Sequence, residues 1–266
     1  MSDDRRLAEK RAVAEAAAAA LTDGMRLGLG SGSTLELFVP VLAARVRAGL
    51  KVSCVPTSAR IAGLAASLRL PFEELGEAPL DLAIDGADEV DPEAQLVKGA
   101  GGALVRERIV AAAARRFLVL VDSSKLVTRL GERMPLPVEI QPFGAAQTAW
   151  RVAALMGDAR LRLIAPASTS LTGAASSAAS AVPVASAPSV APASSVAPAS
   201  EPESRPFVTD NGGWILDCPI PRDRTPRKLM EELHAVPGVV DAGFFLDFHP
   251  EVLVAREGRV DRLFAG

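Results

Sequence analysis

The feature that most restricts how this chain can fold is an alternation in its first half: short apolar runs recur between longer segments of helical spacing. The runs are "MRLGLG" (25–30), "KVSCVP" (51–56), "LDLAID" (80–85) and "FLVLVD" (117–122). Between them lie "STLELFVPVLAARVRAG" (33–49), "TSARIAGLAASLRL" (57–70) and "ALVRERIVAAAARR" (103–116). Strands that are apolar without alternation are buried on both faces, so the pattern predicts a mostly parallel sheet covered by helices on both sides. A further helix is expected from a Ser2 or Asp3 cap through Thr22, with Gly24 placed to end it. The helix over 33–49 is expected to bend or break at Pro40.

After Lys125 the order changes. "PLPVEI" reads as strand, "GAAQTAWRVAALM" as helix and "ARLRL" as strand, followed beyond a gap by strands at "PFVTD" and "WILDC", a helix from Pro226 to Ala235 and a strand at "GVVDAGFF". That β-α-β-β-α-β order fits a small ferredoxin-like α+β domain, and "EVLVA" (251–255) is expected to return to the large sheet. The fold class expected is therefore α/β: a mostly parallel, Rossmann-like sheet with helices on both faces, plus the ferredoxin-like domain. The large domain is expected to span 1–131 and 247–266, the small one 132–163 and 206–246. The gap, 164–205, is dominated by Ala, Ser and Pro with repeated "APAS" fragments, a composition that buries too little apolar surface to offset chain entropy. It is expected to be a disordered insert springing from a hairpin between two small-domain strands.

Composition narrows the function classes. With 266 residues, 49% of them hydrophobic, the chain can bury a full core, and a net charge of −3 offers no broad basic face to nucleic acid. No apolar run approaches the roughly 20 residues that span a bilayer, and Ala12 to Leu21, with Glu15 inside it, reads as helix rather than as a signal segment. A cytoplasmic protein is expected, with no nucleic-acid or membrane partner. Cys54 and Cys218 show neither metal nor disulfide spacing. His234 and His249 lack the cluster that a metal site or a Ser-His-Asp triad requires, so all four are expected to be structural or surface residues.

"GLGSGST" (28–34) stands between a strand and a helix, where exposed backbone N–H groups and the helix dipole favour a phosphate, with hydroxyls from Ser31, Ser33 and Thr34. A purely structural glycine turn is the alternative. Ser33 takes the place of the third glycine of a dinucleotide fingerprint, and no acid lies between Leu37 and Phe72 to meet a ribose. No lysine follows as in a nucleotide P-loop, so a small phosphorylated metabolite fits best, without cofactor.

The densest chemistry is "DLAIDGADEVDPEAQLVKGAGGALVRER" (81–108). Asp85 ends a buried strand, the usual place for ligand chemistry in an open α/β sheet. Asp88 and Glu89 follow, and Lys98 adjoins the glycine-rich "KGAGG". Glu107 shares a helix face with Ala103 and Leu104, so its carboxylate can point back to the glycines. A solvated acidic loop, and a solvated Glu107 between Arg106 and Arg108, are the plain alternatives. If the elements converge, carboxylates and a lysine beside a phosphate cradle suit proton transfer next to a carbonyl, with donors on the enediolate oxygen.

These segments, with "DSSK", "PLPVEI", "VTDNGGWILD" and "PGVVDAGFF", resemble ribose-5-phosphate isomerase of the A type in the order that family has them, over nearly the whole chain apart from the Ala/Ser/Pro segment. The resemblance implies a cofactor-free, metal-free aldose–ketose isomerase of the pentose phosphate pathway, acting on ribose 5-phosphate as a homodimer or homotetramer. It makes Glu107 the base that moves a proton between C1 and C2. Asp85 and Asp88 contact sugar hydroxyls, Asp85 also assisting ring opening, with Gly86 and Ala87 between them in the binding segment. Lys98 and the backbone of Gly99, Ala100 and Gly101 steady the developing oxyanion. Ser31, Gly32, Ser33, Thr34 and Lys125 bind substrate, and Lys10 falls near the phosphate. The sequence departs from the family at Ala100 and Gly213, where glycine and asparagine are usual, the latter at a turn expected to lie far from the chemistry. A sensor module with the fold but no base, or a related acyl-CoA transferase or amino-sugar-phosphate deaminase, are the rival readings.

Overall fold

The structure is a computed structural model that describes residues 2–164 and 204–264. Helix α1 (Asp3–Ala17) starts at Ser2, whose hydroxyl accepts from the Arg5 N–H, and runs into a 3₁₀ turn that ends at Ala20, short of Thr22. There follow β1 (Met25–Leu29), α2 (Ser33–Arg47), β2 (Val52–Pro56), α3 (Ala59–Ser67) and β3 (Leu82–Asp85). Helix α2 continues through Pro40, whose ring lies on the exposed face, where water can take the carbonyl left free by the missing N–H. Two short strands, β4 (Glu89–Val90) and β5 (Leu96–Val97), precede α4 (Leu104–Ala112) and β6 (Phe117–Asp122).

The second half supplies β7 (Leu136–Ile140), α5 (Ala145–Met156), β8 (Arg160–Leu161), β9 (Leu163–Ile164), β10 (Arg205–Pro206) and β11 (Trp214–Cys218). It ends with α6 (Pro226–His234), β12 (Val239–Ala242), β13 (Phe244–Phe245), β14 (Glu251–Arg256) and β15 (Arg259–Phe264). The large sheet has the order β15-β14-β6-β3-β1-β2 and is parallel except for the β14–β15 hairpin. Side chains alternate across it as the pleat requires: Leu118 and Leu120 of β6 join a core under α1 and α2, while Phe117, Val119 and Val121 join one on the opposite face. A third core fills the space between α5, α6 and an antiparallel sheet of order β12-β7-β11-β8, the ferredoxin-like arrangement.

Several expectations need correction. "ARLRL" is broken at Arg162 into β8 and β9, because β8 pairs with β11 whereas β9 turns to pair with β10. "PFVTD" contributes only the end of β10 and a bridge from Val208 to Trp214. "GVVDAGFF" divides: β13 leaves the small sheet and joins β5 and β4 in a three-stranded sheet of its own. β15 was not expected, since "RVDRLF" is polar and closes an exposed edge. Ile164 and Arg205, placed in the disordered insert, pair with each other; the rest of that expectation, residues 165–203, lies outside the described residues.

Phe38 of α2 is fully buried in the core beneath the helix that carries the glycine loop. Phe38→Ala is expected to lower stability by about 3–5 kcal/mol through lost burial and a residual cavity, read as a fall in midpoint in thermal or urea unfolding.

Candidate active site

Parallel pairing of β1 with β3 sets Leu29 beside Ile84, which brings the glycine loop and Asp85 to the same C-terminal edge. The fit between them is close: a Cβ on Gly30 would fall 1.9–2.5 Å from the Asp85 carboxylate. Asp85 is buried, and its Oδ1 accepts from the N–H groups of Gly86 (2.7 Å) and Ser31 (3.2 Å). Gly32, at φ 101°, turns the chain into α2 without a side-chain cap, leaving first-turn N–H groups to a ligand. Ser31 is anchored through its hydroxyl to Thr57 (2.9 Å) and Ser58 (2.8 Å), and Lys10 donates to Ser33 (2.8 Å).

Lys98 reaches the same place from β5, held between β4 and β13, with its N–H donating to Gly243 O (2.8 Å). Its ammonium lies 3.0 Å from Asp85 Oδ2 and 3.4 Å from Glu107 Oε2, donates to Gly86 O (2.7 Å), and is buried. Glu107 is buried too, not solvated, and its Oε2 accepts no hydrogen bond. The flanking arginines point the other way. Arg108 donates to Asp241, Ala242 O and Phe244 O, and Arg106 donates to Asn211 Oδ1 (2.7 Å) and Asp210 O (2.8 Å). They fasten α4 to the small sheet and its neighbouring turn and so aim Glu107 at the cleft. The turn that carries Gly213 is therefore not remote, since Asp210 and Asn211 hold the neighbour of the catalytic candidate.

One ammonium thus faces two buried carboxylates. Burial pushes the Glu107 carboxyl up, the Asp85 charge adds to this, and Lys98 offsets it only in part, leaving Glu107 at about 8. Burial also leaves Asp85 raised, with the ammonium and two backbone N–H groups opposing it only in part. For Lys98, burial favours the neutral amine, and the charges of Asp85, Glu107 and Asp88 outweigh it and hold the ammonium protonated. Asp85 has the nearer lysine contact and the donors, so of the two acids it is the one built to stay ionised.

Among the residues expected from sequence, Ser31, Gly32, Ser33, Thr34, Gly86, Ala87, Asp88, Lys98, Gly99, Gly101, Glu107 and Lys125 line one cleft, joined by Lys10. Asp85 stands behind Lys98 and does not line it. Ala100 lies outside, exposed, with its N–H donating to Asp88 Oδ2 (2.8 Å). The left-handed angles of the loop fall on Gly99 (φ 106°) and Gly102 (φ 76°) and not on Ala100, so the extra methyl is accommodated without strain. Sequence reasoning missed Glu9: buried on α1, it accepts from Ser123 N (2.9 Å) and Oγ (2.7 Å), tying the loop of Lys125 to the helix of Lys10. Burial would raise its carboxyl, but the Ser123 donors and Arg5 hold it below the usual range. A single acid within a charged helix flank gives no sequence signal of this. A larger groove beside Phe72 and Ile109 is lined by Glu73, Glu74 and Arg106 among apolar residues and holds no lysine. Cys54 and Cys218 are buried free thiols pushed up to about 12 by burial. Among the described residues no group of His, Cys, Asp and Glu is arranged to hold a metal, and no helix is long and apolar enough to cross a membrane.

The raised Glu107 has a stability consequence with a definite sign. Between its ordinary 4.5 and about 8 the unfolded chain ionises this group while the fold keeps the proton, so its contribution is full below 4.5 and is lost as pH rises towards 8. Glu107→Gln cannot ionise. Its thermal midpoint is expected to match that of the parent near pH 4 and to exceed it by a margin that widens up to about pH 8, as followed by circular dichroism across that range.

Known proteins resemble this chain throughout. The family model described as ribose 5-phosphate isomerase A (phosphoriboisomerase A) matches residues 53–175 and 193–259. The ribose-5-phosphate isomerase A of Agrobacterium fabrum is 44% identical over 243 residues, 91% of each chain, and that of Deinococcus radiodurans is 36% identical over 256 residues, 96% of each. Among solved structures, ribose 5-phosphate isomerase A from Methanocaldococcus jannaschii aligns with a TM-score of 0.77 at 34% identity, covering 96% of this chain and 97% of that one. A D-ribose-5-phosphate isomerase in complex with phospho-erythronic acid gives the same TM-score and coverages at 31% identity. With the family's motifs gathered at one cleft and the likeness extending over the full fold, the chain belongs to the ribose 5-phosphate isomerase A family.

Proposed function

We propose that the cleft interconverts D-ribose 5-phosphate and D-ribulose 5-phosphate through an enediolate, as the family's name implies. The observation that carries this reading is the buried Asp85–Lys98–Glu107 group at a cleft shared with the uncapped N-terminus of α2. The substrate's phosphate sits on the Ser31–Thr34 loop, within reach of Lys10 and Lys125. Asp88 takes sugar hydroxyls, and Asp85, behind Lys98, assists ring opening through the ammonium it holds. Glu107 then removes the C2 proton of the open aldose. The electron pair left behind forms the C1–C2 double bond as the carbonyl oxygen becomes anionic beside Lys98 and the N–H groups of the glycine loop. Return of the proton to C1, with a proton passing between the two oxygens, gives the ketose with no net oxidation. A carboxyl raised to about 8 suits a group that must both accept and return a carbon-bound proton.

The rival sensor reading needs the phosphate loop but no base, and the burial of Glu107 against Lys98 has no use in it. In the same proposal residues 1–131 and 247–266 form the catalytic domain, and 132–163 with 206–246 form the small domain. The protein works in the cytoplasm as a homodimer or homotetramer. Phe143 and Trp150, 95% and 68% exposed beside the small sheet, supply an aromatic face for self-association.

Purified protein is expected to form ribulose 5-phosphate from ribose 5-phosphate in EDTA; no product would overturn the proposal. Glu107→Gln is expected to lose about 10²–10⁴-fold in kcat while phospho-erythronic acid, whose carboxylate imitates the paired enediolate oxygens, still binds in calorimetry. Because the base must be ionised, kcat/KM should rise about tenfold per pH unit below pH 8 and level off above it; a profile that is flat from pH 6 to 9 would remove Glu107 from the role.

A further inference from the structure

We propose that Arg162, on the small-sheet side, is a positioning residue of this site: it turns the peptide groups of the glycine loop so that the Ala100 N–H braces Asp88 and the Gly101 N–H faces the reacting sugar. The proposal rests on the isomerase reading above.

Arg162 sits at the break between β8 and β9, with its N–H donating to Ile215 O (2.8 Å) and its carbonyl accepting from Phe207 N (2.9 Å). Its side chain is mostly buried and makes a two-point ion pair with Asp217, Nε donating to Oδ2 at 2.9 Å and Nη2 to Oδ1. That pair fixes the plane of the guanidinium. The remaining nitrogen, Nη1, donates to the carbonyls of Gly99 (3.1 Å) and Ala100 (2.9 Å). The guanidinium carbon also lies 5.7 Å from the centroid of the Phe207 ring, which packs where a Cβ of Gly102 would stand.

The consequence follows from peptide geometry. In a trans peptide the C=O and N–H point in opposite directions, and no cis bond occurs among the described residues. With the carbonyls of Gly99 and Ala100 drawn to Arg162, the N–H groups of Ala100 and Gly101 are directed to the other side. The first meets Asp88, and Gly101, which carries the second, is among the residues that line the cleft. A loop free to rotate would at times present a carbonyl there and repel the oxyanion that the mechanism develops. Lysine replaces this arrangement only in part, because one ammonium lacks the planar fork that serves Asp217 and two carbonyls together.

The test compares two probes by calorimetry: phospho-erythronic acid, which reports the oxyanion donors, and inorganic phosphate, which reports only the Ser31–Thr34 cradle. Arg162→Met is expected to weaken the acid by about 10- to 100-fold and leave phosphate affinity unchanged. Its kcat for ribose 5-phosphate should fall by a similar factor with KM altered less, and Arg162→Lys should recover part of both. A structural role alone would lower the two affinities together, and that result, or unchanged affinity for the acid, overturns the proposal. If Arg162→Met does not fold, Asp217→Asn, which frees the guanidinium from its anchor, decides by the same ratio. If wild-type protein neither binds the acid nor turns over the sugar, the isomerase reading fails and takes this inference with it. A ratio preserved in the variants, with an active parent, removes the inference alone.

Discussion

The site depends on one buried ammonium shared by two buried carboxylates. Neither acid could be held away from water at little cost by itself, and a lone buried lysine would lose its proton. Together they leave Lys98 charged, and an asymmetry decides which acid shares that charge. Asp85 has the 3.0 Å contact and two backbone N–H donors; Glu107 has 3.4 Å and an oxygen without a hydrogen bond. The surrounding fold serves this asymmetry. Parallel pairing of β1 with β3 presents Gly30 where a side chain would displace Asp85, and β5, held between two partners, delivers Lys98 from a direction that the large sheet cannot supply.

Much of this was legible in the residues, and for identifiable reasons. Doubly buried strands carry their own signature, so β1, β2, β3 and β6 were readable, and so was the position of Asp85 at a strand end. Helical spacing pointed Glu107 back toward the glycines. Sequence could not show its burial, because Arg106 and Arg108 beside it look like a solvated face. They are spent on Asp241, Asp210 and Asn211, partners more than a hundred positions away. Strands of two residues, such as β4, β5 and β13, are too short for any periodicity to declare them, and they are the elements that place Lys98.

The Ala/Ser/Pro-rich stretch of the sequence is flanked by two described residues that meet each other. The chain leaves the described fold at Ile164 and re-enters just before Arg205, and these two residues are paired in register. That pair is a fixed base from which β9 and β10 both run.

The same base abuts the glycine loop. Arg162 and Phe207 lie just inside the paired ends, joined by the Phe207 N–H to Arg162 carbonyl bond, and their side chains contact Gly99, Ala100 and Gly102. Arg162 is anchored on its far side to Asp217 of β11, a full strand of the small sheet, and through it the loop takes its orientation from that sheet. One substitution inside this ladder should therefore reach the oxyanion donors directly.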